Sequence, residues 1–193
     1  MTTILLARHG ETDWNREGRF QGHADPPLNE TGRAQAAALA RELAGVALAA
    51  VYSSPLRRAL ETAEVVAAEH GLEPVAVDAL REVNVGSWEG LTGAEVEARF
   101  PEQLARWLDY DQGWQDGESY DEMGQRVVSA LLGLAAAHLG EQILAVTHGG
   151  PIRAAFAFAD GTSHAVARRL GPRIGNAFVA KFAVEDEALR RLD

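Results

Sequence analysis

The sequence predicts an α/β sandwich, a mostly parallel sheet covered by helices. Three observations lead there. Short, partly β-branched runs alternate with longer helical patterns along the chain. No internal repeat, low-complexity tract or linker interrupts that alternation. A hydrophobic share of 47% over 193 residues supplies a full core. At about 150 residues per domain, this length predicts one domain over 1–193, with residues from about 91 to 118 as a lid insertion.

Residues 2–7 (TTILLA) read as a buried strand feeding a loop at Arg8-His9-Gly10. Asn29 or Thr31 caps a helix that runs to Gly45, and residues 49–53 form the next strand. Ser54 then Pro55 reads as an N-cap with proline at the first helical position, opening a helix that stops at His70-Gly71. Residues 74–77 give a third strand. The stretch 92–108 is helical but broken at Phe100-Pro101, and 109–118 reads as a polar loop. Ser119 and Glu122 have capping-box spacing, so a helix starts there and runs to about Leu139, ending at Gly140. A fourth strand at 142–147 precedes His148-Gly149-Gly150-Pro151 and another helix, and 176–184 closes the sheet.

Composition narrows the chemistry. Without cysteine there is no disulfide, thiolate zinc site, iron–sulfur cluster or cysteine nucleophile. Of the 18 basic residues 17 are arginine, and Lys181 stands in no phosphate-cradling lysine motif, which removes the P-loop enzymes. A net charge of −10 argues against nucleic-acid partners and anionic membranes, so an anionic small substrate must meet a local basic pocket. No run approaches 18 apolar residues and no leader pattern opens the chain, so a cytoplasmic location is expected.

In parallel sheets, ligands bind beyond the carboxyl ends of the strands. The polar residues there are Arg8 and His9 after the first strand, Arg57 and Arg58 after the second, Glu82 after the third and His148 after the fourth. Arginines in the first turn of a helix are disfavoured by the dipole unless an anion offsets them. Taken alone, the pair reads more simply as two solvated surface cations, and a lone histidine as a core residue. Flanked by Arg8, Gly10, Glu11 and Thr12, His9 instead reads as a nucleophile toward phosphorus, with Gly10 allowing close approach to an anion. His23, His70, His138 and His164 lack metal-ligand spacing. Asp109-Tyr110-Asp111 superficially matches an aspartyl-phosphatase DxD but lies in a loop, where chance accounts for it. Trp14, Trp88 and Trp114 read as packing residues, with Trp114 also placed to lie over a substrate.

Residues 8–15 (RHGETDWN), 53–63 (SSPLRRALETA), 80–90 (LREVNVGSWEG), 147–150 (THGG) and 20–32 (FQGHADPPLNETG) together resemble the histidine phosphatase superfamily, its phosphoglycerate-mutase-like branch. The resemblance spans essentially the whole chain in order. It implies a three-layer α/β/α sandwich with a mostly parallel central sheet and a phosphomonoesterase acting on a small phosphorylated metabolite. It implies His9 as the residue that becomes phosphohistidine, Arg8, Arg58 and His148 as ligands of the phosphoryl oxygens, and Glu82 as general acid and then base. Asn15, Gln21, Gly22 and Gly149 match positions lining the phosphate or substrate pocket. No metal and no cofactor is expected, and no nucleic-acid or membrane partner. A homodimer is compatible with the resemblance. Two alternatives stay open: a cofactor-dependent phosphoglycerate mutase, and a noncatalytic binding protein on the same fold. A mutase must shield phosphohistidine from water, and the chain has little room for such closing segments. A noncatalytic protein would have lost a key residue, and His9, Arg58, Glu82 and His148 are all present.

Overall fold

The computed structural model describes residues 1–110, 114–186 and 188–192. In chain order the elements are β1 (Thr2–Arg8), α1 (Asp13–Arg16), α2 (Glu30–Leu43), β2 (Ala50–Ser53), α3 (Arg57–Glu69) and β3 (Pro74–Ala76). Then come α4 (Gly93–Arg99), α5 (Pro101–Tyr110), α6 (Tyr120–Ala137), β4 (Gln142–Thr147), α7 (Gly149–Ala159), α8 (His164–Leu170), β5 (Val179–Glu185) and β6 (Ala188–Arg191). The strands form one sheet in the order β3-β2-β4-β1-β5-β6, parallel from β3 to β1 and antiparallel at β5 and β6.

Alternation along β1 builds the three layers. Successive side chains of a strand face opposite ways. Leu5 and Ala7 pack with Leu39 and Leu43 of α2 and with Ala63 and Val66 of α3. Ile4 and Leu6 face the other way, toward Met123, Val127 and Leu131 of α6 and Ile152 and Phe156 of α7. Both faces of β1 are therefore apolar, as a central strand requires. Among the described residues, no helix is long and apolar enough to cross a membrane.

Asn29 caps α2 by accepting from the Gly32 N–H at 2.8 Å, and Ser119 and Glu122 form the expected capping box on α6. The break at Phe100-Pro101 separates α4 from α5. Other expectations need correction. Ser54 does not cap α3, which begins at Arg57 after the extended Leu56. Its N–H still donates into the sheet, to Val146 O at 2.9 Å, and a residue before proline is held in the extended region. The helix expected to reach Leu139 stops at Ala137, with Gly140 at positive φ. Asp109 belongs to the last turn of α5, not to a loop, whereas Asp111 and the next two residues lie outside the described residues. The closing strand starts at Val179, later than expected, and the short elements α1, α8 and β6 carry too few periods to be read from sequence.

Candidate active site

β1 and β4 are parallel neighbours with Arg8 opposite Thr147, so the residues after them emerge side by side. The His9 N–H donates to Thr147 O at 3.0 Å, and the rings of His9 and His148 lie 5.1 Å apart. β2 flanks β4 on its other side and delivers Ser54, whose Oγ is 2.8 Å from His148 Nε2. His9 is 2% exposed, His148 and Arg58 0%.

The tautomer of His9 follows from its neighbour. Nδ1 lies 2.6 Å from the Gly10 carbonyl oxygen, which can only accept, so Nδ1 carries the proton and Nε2 presents its lone pair. Burial, then the charges of Arg58 and Arg8, push the pKa of His9 well below its ordinary value. His148 is lowered in the same way, by burial first and then chiefly by Arg58. Both rings are neutral at pH 7, and a neutral ring is what a nucleophilic histidine needs.

Gly10 has a packing role beside the expected approach to an anion. A Cβ there would overlap the Gly32 carbonyl oxygen, and one at Gly32 would overlap the Glu11 carbonyl oxygen, so the loop after β1 is pressed against the start of α2. Thr62 of α3 holds the same loop by accepting from the Gly10 N–H at 3.1 Å.

Arg58 spans the gap between α3 and the 20–25 segment, donating from Nη1 to Ala24 O at 2.7 Å and from Nη2 to Gly22 O at 2.9 Å. Arg8 donates from Nη1 to Ile174 O at 2.8 Å. Burial lowers the pKa of both guanidiniums, Arg58 to about 10, so each keeps its charge at neutral pH. Arg8 Nε, Arg58 Nε and His148 Nδ1 are buried and have no hydrogen-bond partner among the described residues. Buried polar nitrogens in this state cost stability unless a ligand takes them up. The full burial of Arg58 in the first turn of α3 excludes the reading of solvated surface cations for that arginine; Arg57 is exposed and pairs with Glu61 at 3.3 Å.

Glu82 reaches this group from the loop after β3. Its Oε1 accepts from the Val83 N–H at 2.9 Å and its Oε2 from the Gly150 N–H at 3.3 Å, at the start of α7. Its backbone carbonyl accepts from Arg126 Nη2 and His23 Nε2, both at 2.9 Å. Arg126 also donates to the carbonyls of Ala79 and Arg81 and forms a two-point pair with Glu118, at 2.6 and 2.7 Å. The segment that carries the carboxylate is thus bolted to α6.

Arg8, His9, Arg58, Glu82 and Gly149 line one cavity of about 440 Å³. Asn15, Gln21 and Gly22 line it as well. Asn15 Oδ1 is occupied by Asn176 Nδ2 at 3.1 Å and by the Thr12 N–H at 3.1 Å, which leaves its amide nitrogen for the cavity. His148 packs beside His9 at this cavity's edge, next to Ser54. The outer wall holds Phe20, Trp107, Tyr120 and Arg153. The aromatic cover is Trp107 of α5, not Trp114, whose ring packs edge-on against Trp88 at 5.5 Å.

Several residues escaped the sequence reading. Arg126 left a trace, a charged side chain three residues after Met123 on the core-facing stripe of α6. Gly150 stood beside a named glycine. A Cβ at Gly150 would overlap Glu82 Oε1 and meet Met123 Sδ at 3.0 Å, so Gly150→Ala must push the carboxylate aside. Displacements of that size cost about 10² in rate. Steady-state kinetics on an alkyl phosphate are expected to show such a fall in kcat/KM at nearly unchanged Tm.

A family model described as the histidine phosphatase superfamily (branch 1) matches residues 4–192. Phosphoserine phosphatase 1 of Hydrogenobacter thermophilus is 37% identical over 158 residues, covering 81% of this chain and 75% of that protein. Among solved structures, Bacillus stearothermophilus YhfR superposes with a TM-score of 0.92 at 34% identity, covering 100% of this chain and 96% of the other. A mycobacterial glucosyl-3-phosphoglycerate phosphatase, in a complex with VO3, gives a TM-score of 0.87 at 32% identity over 97% and 95% of the two chains. Sheet order, paired histidines and sequence similarity agree: this chain belongs to branch 1 of the histidine phosphatase superfamily.

Proposed function

We propose that the cavity hydrolyses phosphomonoesters of small metabolites without a metal, in two steps. His9 Nε2 attacks phosphorus while Arg8, Arg58 and His148 hold the phosphoryl oxygens, and Glu82 gives a proton to the departing alkoxide. The phosphate then sits on His9, and Glu82, now a carboxylate, takes a proton from the water that releases it. The single observation carrying this reading is the set of three buried, unpartnered nitrogens, Arg8 Nε, Arg58 Nε and His148 Nδ1, around a histidine with its lone pair turned outward. Fixed donors of this kind stabilise the charge on the equatorial oxygens of a transferring phosphoryl group.

The relatives support a small substrate, being named for phosphoserine and for glucosyl-3-phosphoglycerate. A cavity of about 440 Å³ suits an ester of that order. We read α4 and α5 as its cover, since Trp107 comes from α5. A cytoplasmic location fits a substrate whose charge keeps it inside the cell.

The test is phosphate release over a panel of phosphorylated metabolites, with and without a chelator. Release by the untreated and chelated enzyme alike is expected. Full loss on chelation, restored by a divalent ion, would overturn the mechanism. Conversion of 3-phosphoglycerate to 2-phosphoglycerate without phosphate release would identify a mutase instead.

A further inference from the structure

We propose that Ser54 sets the tautomer of His148, its hydroxyl donating to Nε2 so that the ring's one proton sits on Nδ1 and faces a bound phosphoryl oxygen. This rests on the phosphoryl-binding role given to His148 above, and it adds a positioning residue to the site.

Placement comes first. Ser54 and His148 follow the neighbouring strands β2 and β4, both are fully buried, and Oγ and Nε2 are 2.8 Å apart. Either group could donate in such a pair, and the surroundings of the hydroxyl decide which does. Ser54 Oγ already accepts from the Leu56 N–H at 3.3 Å. Among the described residues, the acceptor within reach of its hydrogen is His148 Nε2. If Nε2–H were the donor, the hydroxyl hydrogen would be left buried without an acceptor, which is the costlier arrangement.

The other end of the ring agrees. Nδ1 is buried and meets no partner among the described residues, next to a site framed by the unpartnered Nε groups of Arg8 and Arg58. A neutral imidazole with its lone pair on Nδ1 would oppose the lone pairs of a phosphoryl oxygen. With the proton on Nδ1 it donates, as the two guanidiniums do. His9 and His148 then hold the same tautomer for opposite ends. Gly10 hides the proton of His9 and exposes a lone pair; Ser54 hides the lone pair of His148 and exposes a proton. Two neutral rings thereby supply one nucleophile and one donor.

The experiment is nitrogen NMR on histidine-labelled protein, with His148 assigned by its loss in His148→Asn, together with vanadate binding. In the unsubstituted protein the proton of His148 is expected on Nδ1. Ser54→Ala should let it redistribute toward Nε2 and weaken vanadate binding about ten- to a hundredfold, the loss of one hydrogen bond to a charged group. Ser54→Thr, which keeps the hydroxyl, should restore both. A proton on Nε2 in the unsubstituted protein overturns the proposal even if Ser54→Ala fails to fold. An unchanged tautomer in a folded Ser54→Ala overturns it too. The tautomer is read without substrate, so this outcome is separate from the phosphate-release test.

Discussion

His9→Ala is expected to lower phosphatase kcat/KM by about 10⁵ or more, the scale on which an enzyme loses rate with its nucleophile. The ring is 2% exposed, is held by Gly10 through Nδ1, and turns Nε2 toward the cavity that Arg8 and Arg58 line. No other described group shares that position: His148 is engaged with Ser54 through Nε2, and Glu82 is tied to the Val83 and Gly150 N–H groups. A rapid alkaline quench with labelled substrate should trap an acid-labile phosphoenzyme in the unsubstituted protein and none in the variant. A normal adduct in His9→Ala would remove the assignment.

Glu82→Gln separates proton delivery from binding. An alkoxide is a poor leaving group, and its departure gains about 10² to 10⁴ from a positioned acid. p-Nitrophenolate leaves with little such help. Hydrolysis of alkyl phosphates is therefore expected to fall by that factor, and hydrolysis of p-nitrophenyl phosphate by much less. Glutamine has one acceptor oxygen where the carboxylate uses two, so it keeps one of the Val83 and Gly150 N–H contacts and gives up the other, while Arg126 still holds the segment by its backbone carbonyls. Equal losses on both substrates would deny Glu82 its acid role.

The site was legible where chemistry and strand ends coincide. Arg8, His9 and His148 follow apolar runs directly, so a strand reading places them on one rim. Arg58 could be chosen over Arg57 only through the resemblance; in the structure Arg58 is fully buried and lines the cavity, whereas Arg57 is exposed. What remained illegible is contact between segments distant in sequence. Ser54 and Pro55 look locally like a helix start, yet the β2–β4 ladder and His148 claim the serine first. The press of Gly10 against the Gly32 carbonyl at the start of α2 likewise joins segments that the sequence keeps apart. Trp107 and Trp114 are equivalent to a reader of composition, and the crossing of α5 over the cavity decides between them.

The register of β1 against β4 has one more consequence. His9 and His148 hang from the ladder at the centre of the sheet, clamped by both apolar layers, while Trp107 of the outer wall rides on α5, a helix at the molecular surface. Durability and selectivity are thus assigned to different parts of the chain. The reaction centre persists for as long as the sheet does, and its cover can be rebuilt by surface substitutions that leave the centre untouched. That division gives a physical reason for one superfamily to include proteins named for compounds as unlike as phosphoserine and glucosyl-3-phosphoglycerate.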